Sequence, residues 1–419
     1  MTRGLAIRGG APVHGGGWPA WPQADEHTVT AVGDVLRSGR WTISGASLGG
    51  ECLEQKWARR FAAFNEVAYC VPTDHGSSAL VVALEALDVG AGDEVIVPGL
   101  TWVATASCAL NVGALPIIVD VDPETLCMPA AAVRAAITPR TRAILPVHLY
   151  ASMCDLDELT ALGVPVIEDC AHVHGARWRG RRAGSVGAIG CFSMQQGKLR
   201  TAGEGGAAIA SDERRFRRMS QARSVGRLSR PGGACAGDSD LDMVGELQGT
   251  NFCISELQAA VLLDRVEHLD AQVRTRAERA RRLDAGLAQI PGVWSSRRPT
   301  GVTLQSYYHY VIRFEPEAFA GRSAAQLAEA LTAELGTVVG RIYPPLHRHP
   351  LYSPRTKRRF RINEEHWERL DQSRVRLPVA EHAWETSLTL HHRVLLGSER
   401  DIDDIVEAVA KVARLAAEI

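Results

Sequence analysis

Between about residues 68 and 210, short apolar runs alternate with stretches in which apolar residues recur every three or four positions. Residues 68–71 predict a strand. After Gly76-Ser77-Ser78, the spacing of Leu80, Ala83, Leu84 and Leu87 predicts a helix. Further short strands are predicted at 94–97, 117–121, 143–147 and 165–167, each bounded by Gly, Pro or Asp. Two more, 189–192 and 207–209, flank a polar loop. Apolar strands separated by helical stretches imply a largely parallel sheet covered by helices on both faces.

The flanks read differently. The first fifty residues are rich in Gly and turns and hold Trp18-Pro19-Ala20-Trp21-Pro22, which reads as loop anchored onto another part of the chain. After Asn251, Leu257, Val261, Val266 and Leu269 predict one long helix running towards Leu287, which Pro291-Gly292 ends. A β-rich stretch follows at 307–314, then a helix at 323–335. In the last helix Ser398 and Asp401 form a capping box, and Ile402, Ile405, Val409 and Val412 share one face. The expected division is an N-terminal arm and large domain over 1–285 and a small domain over 286–419.

Composition narrows the class. The chain has 419 residues, 46% hydrophobic and 23% charged, which are ordinary globular values. Lys+Arg 47 against Asp+Glu 48 leaves a net charge of −1, so no basic field attracts nucleic acid or an acidic membrane. No apolar run approaches the roughly 18–20 residues of a membrane span, and residues 1–10 lack an export-signal core. Nine cysteines without a Cys-x-x-Cys pair disfavour a disulfide framework and a structural zinc site. The expected location is cytoplasmic.

The chemistry concentrates in Val166-Ile167-Glu168-Asp169-Cys170-Ala171-His172 and in Phe192-Ser193-Met194-Gln195-Gln196-Gly197-Lys198. Asp169 ends an apolar strand, where parallel sheets present ligand sites. Lys198 stands in the polar loop between two strands. A lysine and an acid at sheet ends suit a pyridoxal phosphate site. The amine forms a Schiff base with the aldehyde, and the carboxylate keeps the pyridine nitrogen protonated so that the ring takes up electrons. Taken singly, Asp169 also fits a helix cap and Lys198 a solvated loop. A phosphate-binding P-loop at 190–199 fails on spacing, with Phe192 and Leu199 at its key positions.

Together with Gly203-Glu204-Gly205-Gly206 and Asn251 … Ser255-Glu256-Leu257-Gln258-Ala259-Ala260, these segments resemble the DegT/DnrJ/EryC1/StrS aminotransferases over most of the chain. That resemblance implies an α/β fold-type-I pyridoxal-phosphate-dependent transferase. Its large domain would hold a mixed, mostly parallel sheet between helices, beside a smaller C-terminal α+β domain. Trp41-Thr42-Ile43-Ser44-Gly45, Met194-Gln195-Gln196-Gly197-Lys198 and Tyr307-Tyr308-His309-Tyr310 narrow the likeness to L-glutamine:scyllo-inosose aminotransferases of aminoglycoside pathways. The 3-amino-5-hydroxybenzoate synthases share His172-Val173-His174-Gly175-Ala176-Arg177-Trp178 and His391-His392-Arg393.

By that resemblance Lys198 is the lysine bonded to pyridoxal 5′-phosphate and moves the proton, while Asp169 pairs with the pyridine nitrogen. Trp102 would cover the ring, unless it fills core. Gly76 and Ser77 would bind the phosphate at a helix start, unless serine simply caps the helix. Ser193 would add a hydroxyl, His172 would stand near the 3-oxygen, and Asn251 would reach across from the neighbouring subunit of a homodimer with shared sites. A metal cluster of Asp169, His172 and His174 leaves Lys198 and Asn251 unexplained.

The implied substrates are a keto-cyclitol, scyllo-inosose or 2-deoxy-scyllo-inosose, and an amino-acid donor, L-glutamine. A neutral polyol needs hydrogen-bonding and aromatic side chains, for which Tyr343 and His347 are candidates, although their segment also fits a Pro-rich surface turn. The donor's carboxylate needs an Arg or Lys, and the run Arg355, Lys357, Arg358, Arg359, Arg361 offers several, or is a solvated face. Rival functions are a keto-sugar nucleotide aminotransferase, a hydroxybenzoate-type lyase and a non-enzymatic regulator. Intact Lys198 and Asp169 favour transamination.

Overall fold

The strand–helix alternation folds into one mixed sheet in the computed structural model, which describes residues 4–264, 266 and 268–419. Its strands are β1 (Tyr69–Thr73), β2 (Glu94–Pro98), β3 (Leu115–Val119), β4 (Thr141–Ile144), β5 (Ile167–Asp169), β6 (Ile189–Ser193) and β7 (Gly206–Ala210). The groups β3-β2-β4 and β5-β6-β7-β1 are joined by the parallel bridges Ile144↔Val166 and Val147↔Asp169. Within this sheet β7 runs antiparallel to both neighbours, and the other pairings are parallel. Val95, Ile96 and Val97 are completely buried, which is why these strands read as continuous apolar runs.

Several strand limits differ from the sequence reading. β3 and β4 start earlier, at Leu115 and Thr141, because both pair with Glu94 at the start of β2. β5 extends through Asp169, so the candidate acid belongs to the strand itself.

The first fifty residues are not all loop. Helix α1 (Glu26–Ser38) begins at a capping box between Asp25 and Thr28. It buries just Thr28 and Val35, too little to leave an apolar stripe in the sequence. Helices α2 (Leu53–Phe64), α3 (Gly76–Ala86) and α4 (Ala104–Asn111) follow. The predicted long helix is two, α5 (Glu256–Asp264) and α6 (His268–Leu287). Ala259 and Leu262 of α5 join the core beneath Trp57 and Phe61, whereas Ala277, Ala280 and Leu283 of α6 join the C-terminal core. Two burial partners call for two helix directions.

The C-terminal part is a second sheet, ordered β8-β9-β11-β10, from β8 (Val293–Ser295), β9 (His309–Phe314), β10 (Val339–Arg341) and β11 (Ser387–His391). All its pairings are antiparallel. Helices α7 (Ala324–Leu335) and α8 (Glu399–Arg414) cover it, each starting at a capping box, Ser323 with Gln326 and Ser398 with Asp401. Ile402, Ile405, Val409 and Val412 of α8 are buried, each contributing about 1.5–3 kcal/mol by leaving water. The N-terminal segment docks here as well. Ala6 and Val13 donate backbone N–H groups to the Glu334 carboxylate, and the Trp18 indole donates to the Leu335 carbonyl at 2.7 Å. Among the described residues no helix is long and apolar enough to cross a membrane.

Candidate active site

The parallel strands β1, β2, β5 and β6 end at one edge, and a cavity of about 410 Å³ opens there. Gly76, Ser77, Trp102, Asp169, His172, Ser193, Lys198 and Tyr343 all line it. Eight of the ten residues singled out in the sequence therefore share one space. Of the remaining two, Asn251 is exposed on a bridge to Ser224, outside this lining. His347 also lies outside it, its Nε2 paired with Glu381 at 2.7 Å. The basic run is likewise outside, with Arg355 paired to Asp371 and Arg361 to Glu364.

Asp169 is buried at the end of β5. One carboxylate oxygen accepts the Ala171 N–H at 3.1 Å and the other the Thr105 hydroxyl at 3.1 Å. Burial pushes its carboxyl above the ordinary 3.8, against the pull of the Ala171 N–H, the Lys198 charge and Thr105. The neighbouring Glu168 faces away and is saturated: His148 Nε2 donates to it at 3.1 Å, as do the N–H groups of Gly184, Val186 and Gly187. His148 Nδ1 accepts the Cys154 N–H, which leaves the ring proton on Nε2. His148, Glu168 and Cys170 come close enough to suggest a metal site, but these bonds already occupy the histidine and the carboxylate. They brace the strand end.

Lys198 is 9% exposed and sits between β6 and β7. Its Nζ stands 4.1 Å from the centre of the Tyr308 ring, and among the described residues it makes no ion pair. Burial lowers its amine to about 8, with the Asp169 charge opposing. The loop before it is pinned from both ends of the chain. The Trp21 indole donates to the Gln196 carbonyl at 3.1 Å, and His392 Nε2 donates to that of Gly197 at 3.1 Å. Burial together with the lysine charge keeps His172 neutral and holds His309 down at about 3.

Gly76 and Ser77 form the first turn of α3, whose N-cap is His75. Serine capping is therefore excluded for Ser77, and the N–H groups of this turn are free for an anion. A Cβ on Gly76 would stand 2.6 Å from Ser193 Cβ, and one on Gly206 would collide with the His75 backbone. Both glycines permit the close approach of β6 and β7 to the helix start. Trp102 is 44% exposed, so it does not fill core; its ring lies 5.6 Å from that of Tyr343.

Sequence reasoning missed Thr101, Thr105 and Tyr308. Tyr308 carried a signal, as part of Tyr307-Tyr308-His309-Tyr310. Thr105 carried none, since its bond to Asp169 spans 64 positions.

Comparisons with known proteins find relatives along nearly the whole chain. A family model described as the DegT/DnrJ/EryC1/StrS aminotransferase family matches residues 22–410. The L-glutamine:2-deoxy-scyllo-inosose aminotransferase of Streptoalloteichus tenebrarius is 48% identical, over 98% of this chain and 97% of its own. The L-glutamine:scyllo-inosose aminotransferase of Streptomyces griseus is 45% identical, over 98% of each. Among solved structures, 3-amino-5-hydroxybenzoic acid synthase superposes with a TM-score of 0.79 at 30% identity, covering 98% of this chain and 100% of that one.

Proposed function

The chain belongs to the DegT/DnrJ/EryC1/StrS aminotransferase family, and on that premise we propose that it aminates scyllo-inosose or 2-deoxy-scyllo-inosose with L-glutamine, using pyridoxal 5′-phosphate, in cytoplasmic aminoglycoside biosynthesis. The observation that carries the reading is the shared cavity, in which a buried amine lowered to about 8, a buried carboxylate and the first turn of α3 face one space.

The residues fit the cofactor. Asp169 is a buried acid whose ionised form calls for a cationic partner, and a protonated ring nitrogen supplies one. The first turn of α3 at Gly76, against which Ser193 packs closely, with the Ser77 and Ser193 side chains lining the same cavity, suits a phosphate dianion. When bound, pyridoxal 5′-phosphate supplies an aldehyde carbon for the amino group and a ring that absorbs an electron pair.

Each side chain then has a task. Lys198 Nζ would hold the cofactor and, once released, would take the proton from the donor's Cα and pass it to the cofactor's aldehyde carbon, moving a proton in the reverse direction in the second half-reaction. Its lowered pKa makes far more of the neutral amine available near neutral pH than an ordinary lysine would have. Asp169 retains the positive charge on the ring nitrogen. Trp102, in the cavity lining, would cover the cofactor ring and shield it from water. His172 donates from Nε2, because its Nδ1 already accepts the Tyr150 N–H.

The substrate side supports a neutral ketone. Lys198 is the one Lys or Arg among the described residues lining the cavity, so this chain offers no cluster for a nucleotide's diphosphate. Tyr308, Tyr343 and the imidazole of His172 provide aromatic surface and hydrogen-bonding groups for a polyol. In this reading residues 1–285 carry the cofactor and 286–419 form the smaller part. A homodimer completes the site through Asn251. Exposed Trp41, Leu48, Val225 and Met243 support that assembly, lying on segments bridged to one another around Asn251.

The test is glutamine-dependent amination of scyllo-inosose and 2-deoxy-scyllo-inosose, with a nucleotide keto-sugar as control. Amine from either cyclitol is expected. Lys198→Ala abolishes turnover and the visible absorbance of bound cofactor; an active Lys198→Ala protein would overturn the assignment.

A further inference from the structure

Tyr150 does not line the cavity, yet it bonds to three residues that do. Its backbone N–H donates to His172 Nδ1 at 3.2 Å. Its carbonyl accepts the Tyr308 N–H at 3.2 Å, and its phenolic oxygen accepts the Tyr343 N–H at 2.6 Å. The three partners come from separate stretches: after β5, just before β9, and just beyond β10. The Tyr150 ring lies nearly parallel to those of His172 and His309, with centres 5.6 and 5.9 Å away, and 5.3 Å from Tyr343. It is 2% exposed.

The backbone of Tyr150 is unusual, with φ of +53°. A bulky L-residue enters this left-handed region only where its surroundings over-determine it, and such positions cluster at functional sites. The bonds supply the over-determination: all three of the residue's polar groups are engaged, and the ring is packed against His172, His309 and Tyr343.

The bond to His172 also has a chemical consequence. An imidazole nitrogen that accepts a hydrogen bond carries no proton, so the neutral ring must hold its proton on Nε2. One backbone donor thereby selects the histidine tautomer. The carbonyl and phenolic oxygen tie Tyr308, whose ring stacks on His172 with centres 4.0 Å apart, and Tyr343 to the same residue, so one aromatic wall is referenced to a single point.

We propose that Tyr150 is a positioning residue: its left-handed backbone and three bonds hold His172 with the proton on Nε2 and lock Tyr308 and Tyr343 beside it in the same aromatic wall of the cavity. The kinetic part of this proposal rests on the keto-cyclitol reading; the tautomer part rests on geometry.

Histidine-selective ¹⁵N labelling of the cofactor-free full chain tests the tautomer, with His172→Gln identifying the resonance. The Nε2–H form is expected in the wild type and in Tyr150→Phe, which keeps the backbone donor. In Tyr150→Ala the ring that holds the left-handed turn is gone, and the preference for Nε2–H is expected to vanish. Tyr150→Phe removes just the acceptor of the Tyr343 N–H. It should raise KM for the cyclitol ketone about tenfold while kcat stays within about threefold. Added pyridoxal 5′-phosphate should give it the same visible absorbance as the wild type.

An Nδ1–H form in the wild type overturns the proposal. So does an Nε2–H preference that survives in folded Tyr150→Ala, or an unchanged KM in Tyr150→Phe. Should Tyr150→Ala fail to fold, the wild-type spectrum and Tyr150→Phe decide. If the wild type aminates no cyclitol ketone, the functional reading falls, and the tautomer in the cofactor-free protein still decides the role of Tyr150.

Discussion

Lys198 titrates where its neighbours allow. Burial depresses the amine from the ordinary 10.5 to about 8, and the negative charge of Asp169 limits the fall. Between those two values the unfolded chain keeps a proton that the folded protein has shed. Stability from this group therefore rises with pH across that window, and it is lost as pH falls through about 8. Capture of pyridoxal 5′-phosphate by cofactor-free protein needs the neutral amine. Its rate, followed by visible absorbance, should rise with pH to a midpoint near 8 and then level off; a rise continuing towards 10.5 would contradict the burial argument. Asp169→Asn removes the opposing charge and should move that midpoint down. At this scale, the placement of Asp169, His172, Ser193 and Lys198 around one cavity was legible because they stand at or just after the ends of β5 and β6. Thr105 and Tyr150 were not, since they act through bonds to residues distant in the chain. His347 was misread because a histidine beside two prolines has no local feature that distinguishes a cavity from a pairing with Glu381.

Among the elements, α3 bears most directly on function. Its first turn has Gly76 against Ser193, so Gly76→Ala should cost about 1–3 kcal/mol of stability by overpacking. It should also weaken cofactor retention, measurable by titrating pyridoxal 5′-phosphate into the variant. An unchanged affinity would mean that the anion binds elsewhere. The sheet was legible because buried parallel strands are apolar throughout, and α8 because its capping box and apolar stripe coincide. Helix α1 was hidden: it starts at Asp25 rather than at a Ser or Thr followed by Glu or Gln, and it turns most of its surface to solvent. The split between α5 and α6 was hidden too, since both helices carry apolar residues at helical spacing and differ just in what they bury.

For the whole molecule, the sharpest expectation concerns assembly. If Asn251 serves the partner's cavity, Lys198→Ala and Asn251→Ala chains are each impaired as homodimers. Co-expressed with distinguishable tags and purified as the mixed dimer, they should regain activity, because one of the two cavities then has both residues intact. Activity no higher than that of the separate variants would place Asn251 in its own chain's site. The second core was less legible in outline, since it also recruits Leu5 from the far end of the sequence. The lysine loop shows a related dependence, with Trp21 and His392 gripping adjacent carbonyls. A ribosome making this protein has placed Lys198 long before it reaches His392. The newly made amine thus waits for that later stretch before its grip is complete, and a nascent chain halted just short of that histidine carries every residue lining the cavity without the second hold on the lysine loop.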